Sequence, residues 1–135
     1  MSEAKIQIKS LYKIFGKNPS AAMEHVKNGV GKDELLDKHN HVLGLKDINL
    51  DIQSESIQVV MGLSGSGKST LIRHINRLIE PTDGSVTIDG DEVLKMNEEQ
   101  LRSFRRSKTA MVFQRFALLP HKTVLQNTIF GLHIQ

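Results

Sequence analysis

From Ala4 to Lys9, apolar and polar residues alternate, with Ile6 and Ile8 on one side, which predicts a half-buried strand. Leu11, Tyr12, Ile14 and Phe15 follow, and Gly16 marks a turn. A second alternation runs from Gly44 to Ile52. It sets Leu45, Ile48 and Leu50 against Lys46, Asn49 and Asp51, as in a strand with one wet face. Gln53 to Ser56 turns the chain into Ile57-Gln58-Val59-Val60-Met61, a short apolar run that reads as a buried strand. The period then changes. Leu71, Ile72, Ile75, Leu78 and Ile79 recur at helical spacing, which predicts a helix from Ser69 stopped at Glu80-Pro81. After a turn at Thr82-Asp83-Gly84, Ser85 to Asp89 alternates again, and Gly90-Asp91 turns once more. This piece is expected to pair with the early strands in an antiparallel sheet.

The later part repeats the helix-then-strand order. Asn97 caps a predicted helix, with Gln100 three residues on as its capping-box partner, Glu98 and Glu99 in the first turn and Arg105 and Arg106 in the last. Leu101 and Phe104 are its inward residues. Thr109 to Phe113 reads as a short apolar strand. Leu118-Leu119-Pro120-His121 begins an apolar loop, and residues from Thr123 to Phe130 begin a helix or loop. Between the first two strands, Lys17 to Val42 has a different character. Pro19 starts a weak helix that Gly29 and Gly31 break, and a second short helix over Lys32 to His39 has only Leu35 and Leu36 as strong apolar residues. The segment at about 17–42 is therefore expected to be an accessory insertion rather than core. Its His25, His39 and His41 lack a ligand spacing and are expected to be solvated.

Composition narrows the class. The chain has 135 residues, 39 % hydrophobic and 24 % charged, enough for one soluble domain. No apolar run approaches the roughly 20 residues that span a bilayer, and Met1-Ser2-Glu3-Ala4-Lys5 has no signal-peptide pattern. The absence of cysteine excludes disulfides and thiolate metal sites and is compatible with the cytoplasm. A net charge of +3, spread along the chain, argues little for nucleic acid. Arg102, Arg105, Arg106 and Lys108 are accordingly expected to form a solvated face.

The chemistry concentrates in Gly62-Leu63-Ser64-Gly65-Ser66-Gly67-Lys68-Ser69-Thr70, between the predicted strand and helix. That is the context the phosphate-loop motif requires. Gly62, Gly65 and Gly67 allow a tight curl, and successive amides, Ser64 and Ser66 included, can then converge on an anion with the helix dipole behind them. Lys68 would reach the β- and γ-phosphates, Ser69 would place its hydroxyl on Mg2+, and Thr70 would back the α-phosphate. Gln114 follows the Thr109–Phe113 run. It is either an ordinary strand-end amide or a group that contacts Mg2+ or a water, since ligands of open α/β sheets bind beyond the carboxyl ends of strands. Tyr12 and Phe15 are packing residues in the first instance, and a nucleotide would give either one a base to stack on.

These residues resemble the amino-terminal part of an ABC transporter ATPase subunit. The resemblance rests on Gly62 to Thr70, Asn76-Arg77-Leu78-Ile79-Glu80-Pro81-Thr82-Asp83-Gly84, Ile88-Asp89-Gly90 and Met111-Val112-Phe113-Gln114, and it covers essentially the whole chain. Tyr12-Lys13-Ile14-Phe15-Gly16, the insertion before Gly44, Leu118-Leu119-Pro120-His121 and Asn127-Thr128 carry a narrower likeness to glycine betaine/L-proline import ATPases. The resemblance implies an α/β P-loop NTPase core of the ABC type, incomplete, with an antiparallel β subdomain. It implies ATP and Mg2+ as ligands, Phe15 as the adenine-stacking aromatic, and Gln114 as a contact to Mg2+ and the attacking water. It further implies head-to-tail pairing with a second ATPase subunit, which sandwiches nucleotide, and docking on a transmembrane permease. The link to a solute-binding protein is indirect, and the place of work is the cytoplasmic side of the cell membrane, or the cytoplasm if unassembled.

The sequence departs from the family pattern in several places. It contains no signature sequence, no strand ending in the Mg2+-supporting Asp and catalytic Glu, and no switch histidine. It has Glu55-Ser56 where relatives usually have Gly-Glu, and polar Gln58 inside the expected strand. Readings that compete with an import ATPase are a truncated, catalytically inactive nucleotide-binding or regulatory fragment and a different P-loop enzyme such as a kinase.

Overall fold

Four strands form an antiparallel sheet: Ile6–Phe15 (β1), Val42–Ile52 (β2), Asp83–Ile88 (β3) and Asp91–Glu92 (β4), in the order β2-β1-β3-β4. They belong to a computed structural model that describes residues 4–113 and 117–133. The chain divides into two units, Met1–Lys95 and Met96–Gln135. The expected pairing of the Ser85–Asp89 piece with the early strands is what the first unit shows: Ile6 faces Ile88, and Ile8 faces Val86.

β1 extends well past the alternation that announced it. Its buried residues are Ile8, Leu11 and Ile14, three apart instead of two. The pairing with β2 shifts register between Ile8 and Leu11, where Ser10 has φ +43°. An extra residue in one strand breaks the period and lets it resume. Asn49 of β2 stabilises the irregularity. Its Oδ1 accepts the Ser10 amide at 2.8 Å, and its Nδ2 donates to the Asp47 carbonyl at 3.1 Å.

The segment between β1 and β2 folds into Pro19–Lys27 (α1) and Lys32–His39 (α2). Asn18 caps α1, accepting the Ala21 amide at 3.3 Å, and Pro19 sits at its first position. The expectation that this segment stands apart from the core is corrected. Ala22, Met23 and Val26 of α1 and Leu35 of α2 form one buried cluster with Ile14 of β1, and Tyr12, Val30 and Leu43 pack against it. Each such side chain removed from water contributes on the order of 1.5–3 kcal/mol. A few apolar residues, correctly spaced, therefore anchor helices that look mostly polar in sequence. Lys27 reaches the Asp83 carboxylate at 2.9 Å, which ties α1 to β3 as well. The histidines are engaged rather than solvated. The His25 and His39 rings stack at 3.9 Å between centroids. His41 accepts the Asn18 amide at Nε2 (3.2 Å), which leaves its proton on Nδ1, 2.5 Å from the His39 carbonyl. Among the described residues no group of three or more His, Cys, Asp or Glu is arranged to hold a metal.

Two expectations for the middle of the chain fail. Residues 57–61 form no strand, and Ile57, Val59 and Met61 are 94 %, 64 % and 87 % exposed. A strand is completed by neighbours on its edges, and no described residue pairs with this run. The helix expected to reach Glu80 spans only Lys68–Ile75 (α3). Arg77 turns left-handed at φ +51°, and the Leu78 amide reaches back to the Arg73 carbonyl at 2.8 Å, which closes the helix before Pro81 acts. The apolar stripe is correspondingly incomplete: Leu71 and His74 are buried, whereas Ile72 and Leu78 remain about half exposed.

In the second unit, Glu98–Ser107 (α4) has the expected capping box. The Asn97 and Gln100 side chains each accept the other's amide at 2.9 Å. Phe104 is buried, Leu101 is half-buried, and Arg102, Arg105, Arg106 and Lys108 are exposed. The strand expected at Thr109–Phe113 is absent, for the same want of a paired edge, and Val112 is 96 % exposed. Two short helices, Val124–Thr128 (α5) and Phe130–His133 (α6), follow. Asn127 organises the loop before them. Its Oδ1 accepts the Leu119 amide at 2.8 Å, and its Nδ2 donates to the carbonyls of Leu119 (3.2 Å), Lys122 (3.2 Å) and Thr123 (3.0 Å). No described helix is long and apolar enough to cross a membrane.

Candidate nucleotide-binding site

The loop from Gly62 to Gly67 is held by its own lysine. The Lys68 ammonium donates to the carbonyls of Gly62 and Leu63, both at 2.7 Å, and to Ser66 Oγ at 3.3 Å. The Ser66 amide closes a turn onto the Leu63 carbonyl at 3.2 Å. Gly67 then enters α3 at φ +90°, with the Leu71 amide bonded to its carbonyl at 2.8 Å. Glycine is required at position 67 on two counts. Its dihedral lies in the left-handed region, and a Cβ there would lie 2.7 Å from the Gly44 carbonyl oxygen and 3.0 Å from Leu45 Cδ2. The loop thus lies directly on β2.

Gly44 makes a second close approach. A Cβ on it would come within 2.7 Å of Phe15 Cε2. The Phe15 ring, paired in register with Val42 at the end of β1, therefore folds across β2 beside the loop. The Lys13 ammonium stands 5.0 Å from the ring centroid and donates to the Glu80 carbonyl at 2.7 Å. Phe15, Val42 and Gly44 on one side and Gly65 to Thr70 on the other line a single cavity of about 250 Å3. Gly65, Ser66, Gly67, Lys68, Ser69 and Thr70 meet Phe15 there, Ser69 with its side chain exposed. Ser64 lies in the turn that Ser66 closes onto Leu63, and Gly62 immediately precedes that turn. Tyr12, the other aromatic candidate, packs against the Ile14 cluster instead. Gln114 lies outside the described residues.

The cavity has a concave glycine-bounded wall, a cation, two hydroxyls at the start of a helix, and an aromatic face. First-turn helix amides have no partners within the helix and favour an anion. The hydroxyl of Ser69 is a hard oxygen donor of the type Mg2+ takes, and such an ion keeps most of its waters beside substrate phosphates. The residues present therefore fit both a nucleotide polyphosphate and that metal.

One feature had no signal in the sequence. His74, on the inner face of α3, is 0 % exposed, and its Nδ1 lies 2.6 Å from the Thr70 carbonyl. Burial pushes its pKa below the ordinary value of 6.5, and Lys13 adds to the effect. The folded state prefers the neutral ring, so this contribution is fully present above pH 6.5 and is lost as pH falls toward the lowered folded value. We expect the melting temperature to decline from about pH 6.5 downward, and His74→Asn to flatten that decline. Thermal melts of both proteins between pH 8 and 5 check it, and parallel curves would refute it.

A glycine-lysine loop laid on an antiparallel sheet, with an aromatic lining the same cavity, is the arrangement expected of the ATP-binding cassette class. Residues 45–135 match the family model described as ABC transporter, and the chain belongs to that family. It is 53 % identical over 130 residues to the glycine betaine/proline betaine transport system ATP-binding protein ProV of Escherichia coli, covering 96 % of this chain and 32 % of that protein. It is 48 % identical over 131 residues to the glycine betaine transport ATP-binding protein OpuAA of Bacillus subtilis, covering 97 % and 31 %. The chain thus spans about a third of the length of these curated relatives. Among solved structures, the dimeric post-hydrolysis state of the ATP-binding cassette MJ0796 bound to ADP and Pi superimposes with a TM-score of 0.72 at 30 % identity, over 95 % of this chain and 47 % of that one. The fold is accordingly part of a mixed α/β ABC ATPase domain with its antiparallel sheet.

Proposed function

We propose that the chain is the ATP-binding portion of an ATPase subunit that powers import of glycine betaine or proline-type compatible solutes through a membrane permease. The observation that carries the reading is the cavity shared by Phe15 and the Gly65–Thr70 loop. The names of the ProV and OpuAA relatives, at 53 % and 48 % identity, support the solute class.

In this reading the amides of Gly62, Ser64, Gly65, Ser66 and Gly67 cradle the phosphates. Lys68 exchanges its bonds to the loop carbonyls for the β- and γ-phosphates, and Thr70 backs the α-phosphate. Phe15 stacks on adenine with one face, its other face being turned to the Lys13 ammonium. Ser69 would hold Mg2+, which would supply charge neutralisation at the phosphates, and Gln114 would offer its amide oxygen to the metal and to the water. In the full-length family member a second ATPase subunit completes a nucleotide sandwich, a pairing supported by the dimeric state of the MJ0796 cassette bound to ADP and Pi, and the assembly works at the cytoplasmic face of the membrane.

Phosphoryl transfer also needs an activated in-line water, and the sequence offers no general base. The 135-residue chain alone is therefore expected to bind Mg-ATP with little or no turnover. The unpaired run at 57–61 favours the reading of an inactive nucleotide-binding fragment for the isolated chain. Calorimetry with Mg-ATP tests the site. Saturable heat is expected from the wild type, with affinity at least about tenfold weaker in Lys68→Ala, the cost of one charge-assisted contact. Undetectable heats from a demonstrably folded wild-type sample, or equal affinities for both proteins, would overturn the reading.

A further inference from the structure

The cavity of Phe15 and the phosphate loop has one more cationic wall residue, and it comes from neither the loop nor the sheet. Lys32, the first residue of α2, lines it together with Phe15, Gly44 and Lys68. Other basic side chains of the insertion are committed elsewhere: Lys27 to Asp83 at 2.9 Å and Lys38 to Glu34 at 2.7 Å. Lys32 has no ion pair or side-chain hydrogen bond among the described residues and is exposed. Lys68 is bonded to two carbonyls of its own loop. Lys32 is thus an uncommitted ammonium of the cavity that Gly65 to Thr70 also line.

We propose that Lys32 is a nucleotide-binding residue, an ammonium contact to the polyphosphate supplied by the α1–α2 insertion. The inference rests on the reading of the cavity as a nucleotide site and adds a residue to it. A long flexible stem lets the ammonium follow the phosphates at the cavity mouth, where the contact is only partly desolvated and is screened by salt. Its effect is that of one exposed charge pair, well below that of Lys68. Because α2 is fixed by Leu35 to the Ile14 cluster, the contact also ties the insertion to the occupied site.

The test is Mg-ATP titration of the 135-residue chain and its variants at two salt concentrations. Lys32→Ala is expected to weaken binding about two- to fivefold with a shallower dependence on salt. Lys32→Glu is expected to weaken it further, and Lys32→Arg to stay near the wild type. Lys38→Ala, which removes an equal charge from the same helix outside the cavity, is the control and is expected to bind as the wild type does. Lys32→Glu places an acid in the first turn of α2, which favours the helix, so weakened binding would not come from its unfolding. If Lys32→Glu binds like the wild type while Lys68→Ala does not, the proposal fails and the nucleotide site stands. If Lys38→Ala weakens binding as much as Lys32→Ala, the effect is general charge and the proposal fails. If the wild type and Lys68→Ala both fail to bind, the nucleotide reading falls and this inference with it.

Discussion

Gly67→Ala is expected to reduce Mg-ATP affinity by about 30-fold or more. Two costs add. An alanine held near φ +90° carries strain of about 1–3 kcal/mol, and its methyl would press on the Gly44 carbonyl, 2.7 Å from the ideal Cβ position, where overpacking costs a further 1–3 kcal/mol or so. The obstructing atom is backbone of β2, so it cannot swing aside, and relief comes by lifting the loop off the sheet. Gly65 supplies the comparison. Its φ is +77°, but nothing lies within 4 Å of the position a methyl would take there. Gly65→Ala should therefore show the conformational cost alone, with a visibly smaller loss. Titration of the two variants side by side separates the effects, and equal losses would show that contact with β2 does not matter.

Leu35→Ala is expected to destabilise the fold by about 2–5 kcal/mol, the usual range for deleting a fully buried leucine side chain. Leu35 is 0 % exposed within the Ile14 cluster, whereas its neighbour Leu36 is 48 % exposed. Leu36→Ala should stay within about 0.5 kcal/mol of the wild type. Urea unfolding of both variants gives the difference directly. A Leu35 variant as stable as the Leu36 variant would restore the insertion to the accessory status its composition suggests.

Local signals are legible where the physics is local. The Asn97–Gln100 capping box, Pro19 at the start of α1, the alternation in β2 and the glycine-lysine loop all act within a few residues of chain, and the structure has each of them. The failures are non-local. Ile57 to Met61 has the composition of a buried strand, but burial and pairing come from other segments. Pro81 is the conspicuous stop signal after α3, yet a left-handed Arg77 ends the helix two residues after Ile75. The bulge at Ser10 hides half of β1 by breaking the period of two, and Asn127 shows nothing in sequence of the four bonds it makes around one loop. For the candidate site, the glycine-lysine loop is plain in the sequence, Phe15 enters only through the family resemblance, and the structure brings both onto one cavity. The sequence offers no reason to look at Lys32, which enters the cavity only through the way α2 is docked.

The cluster around Ile14 limits how this scaffold can be cut. Ile14 immediately precedes Phe15, and the buried residues clustered with it, Ala22, Met23, Val26 and Leu35, all come from α1 and α2. A shortened chain with a simple turn in place of residues 17–41 would keep every strand and the whole glycine loop, yet would uncover Ile14 at the position next to Phe15. Under the proposed function, such a minimal domain is expected to lose its hold on the adenine end of the ligand first. Anyone trimming or grafting this module should therefore treat the insertion as part of the binding site's foundation and move it with β1.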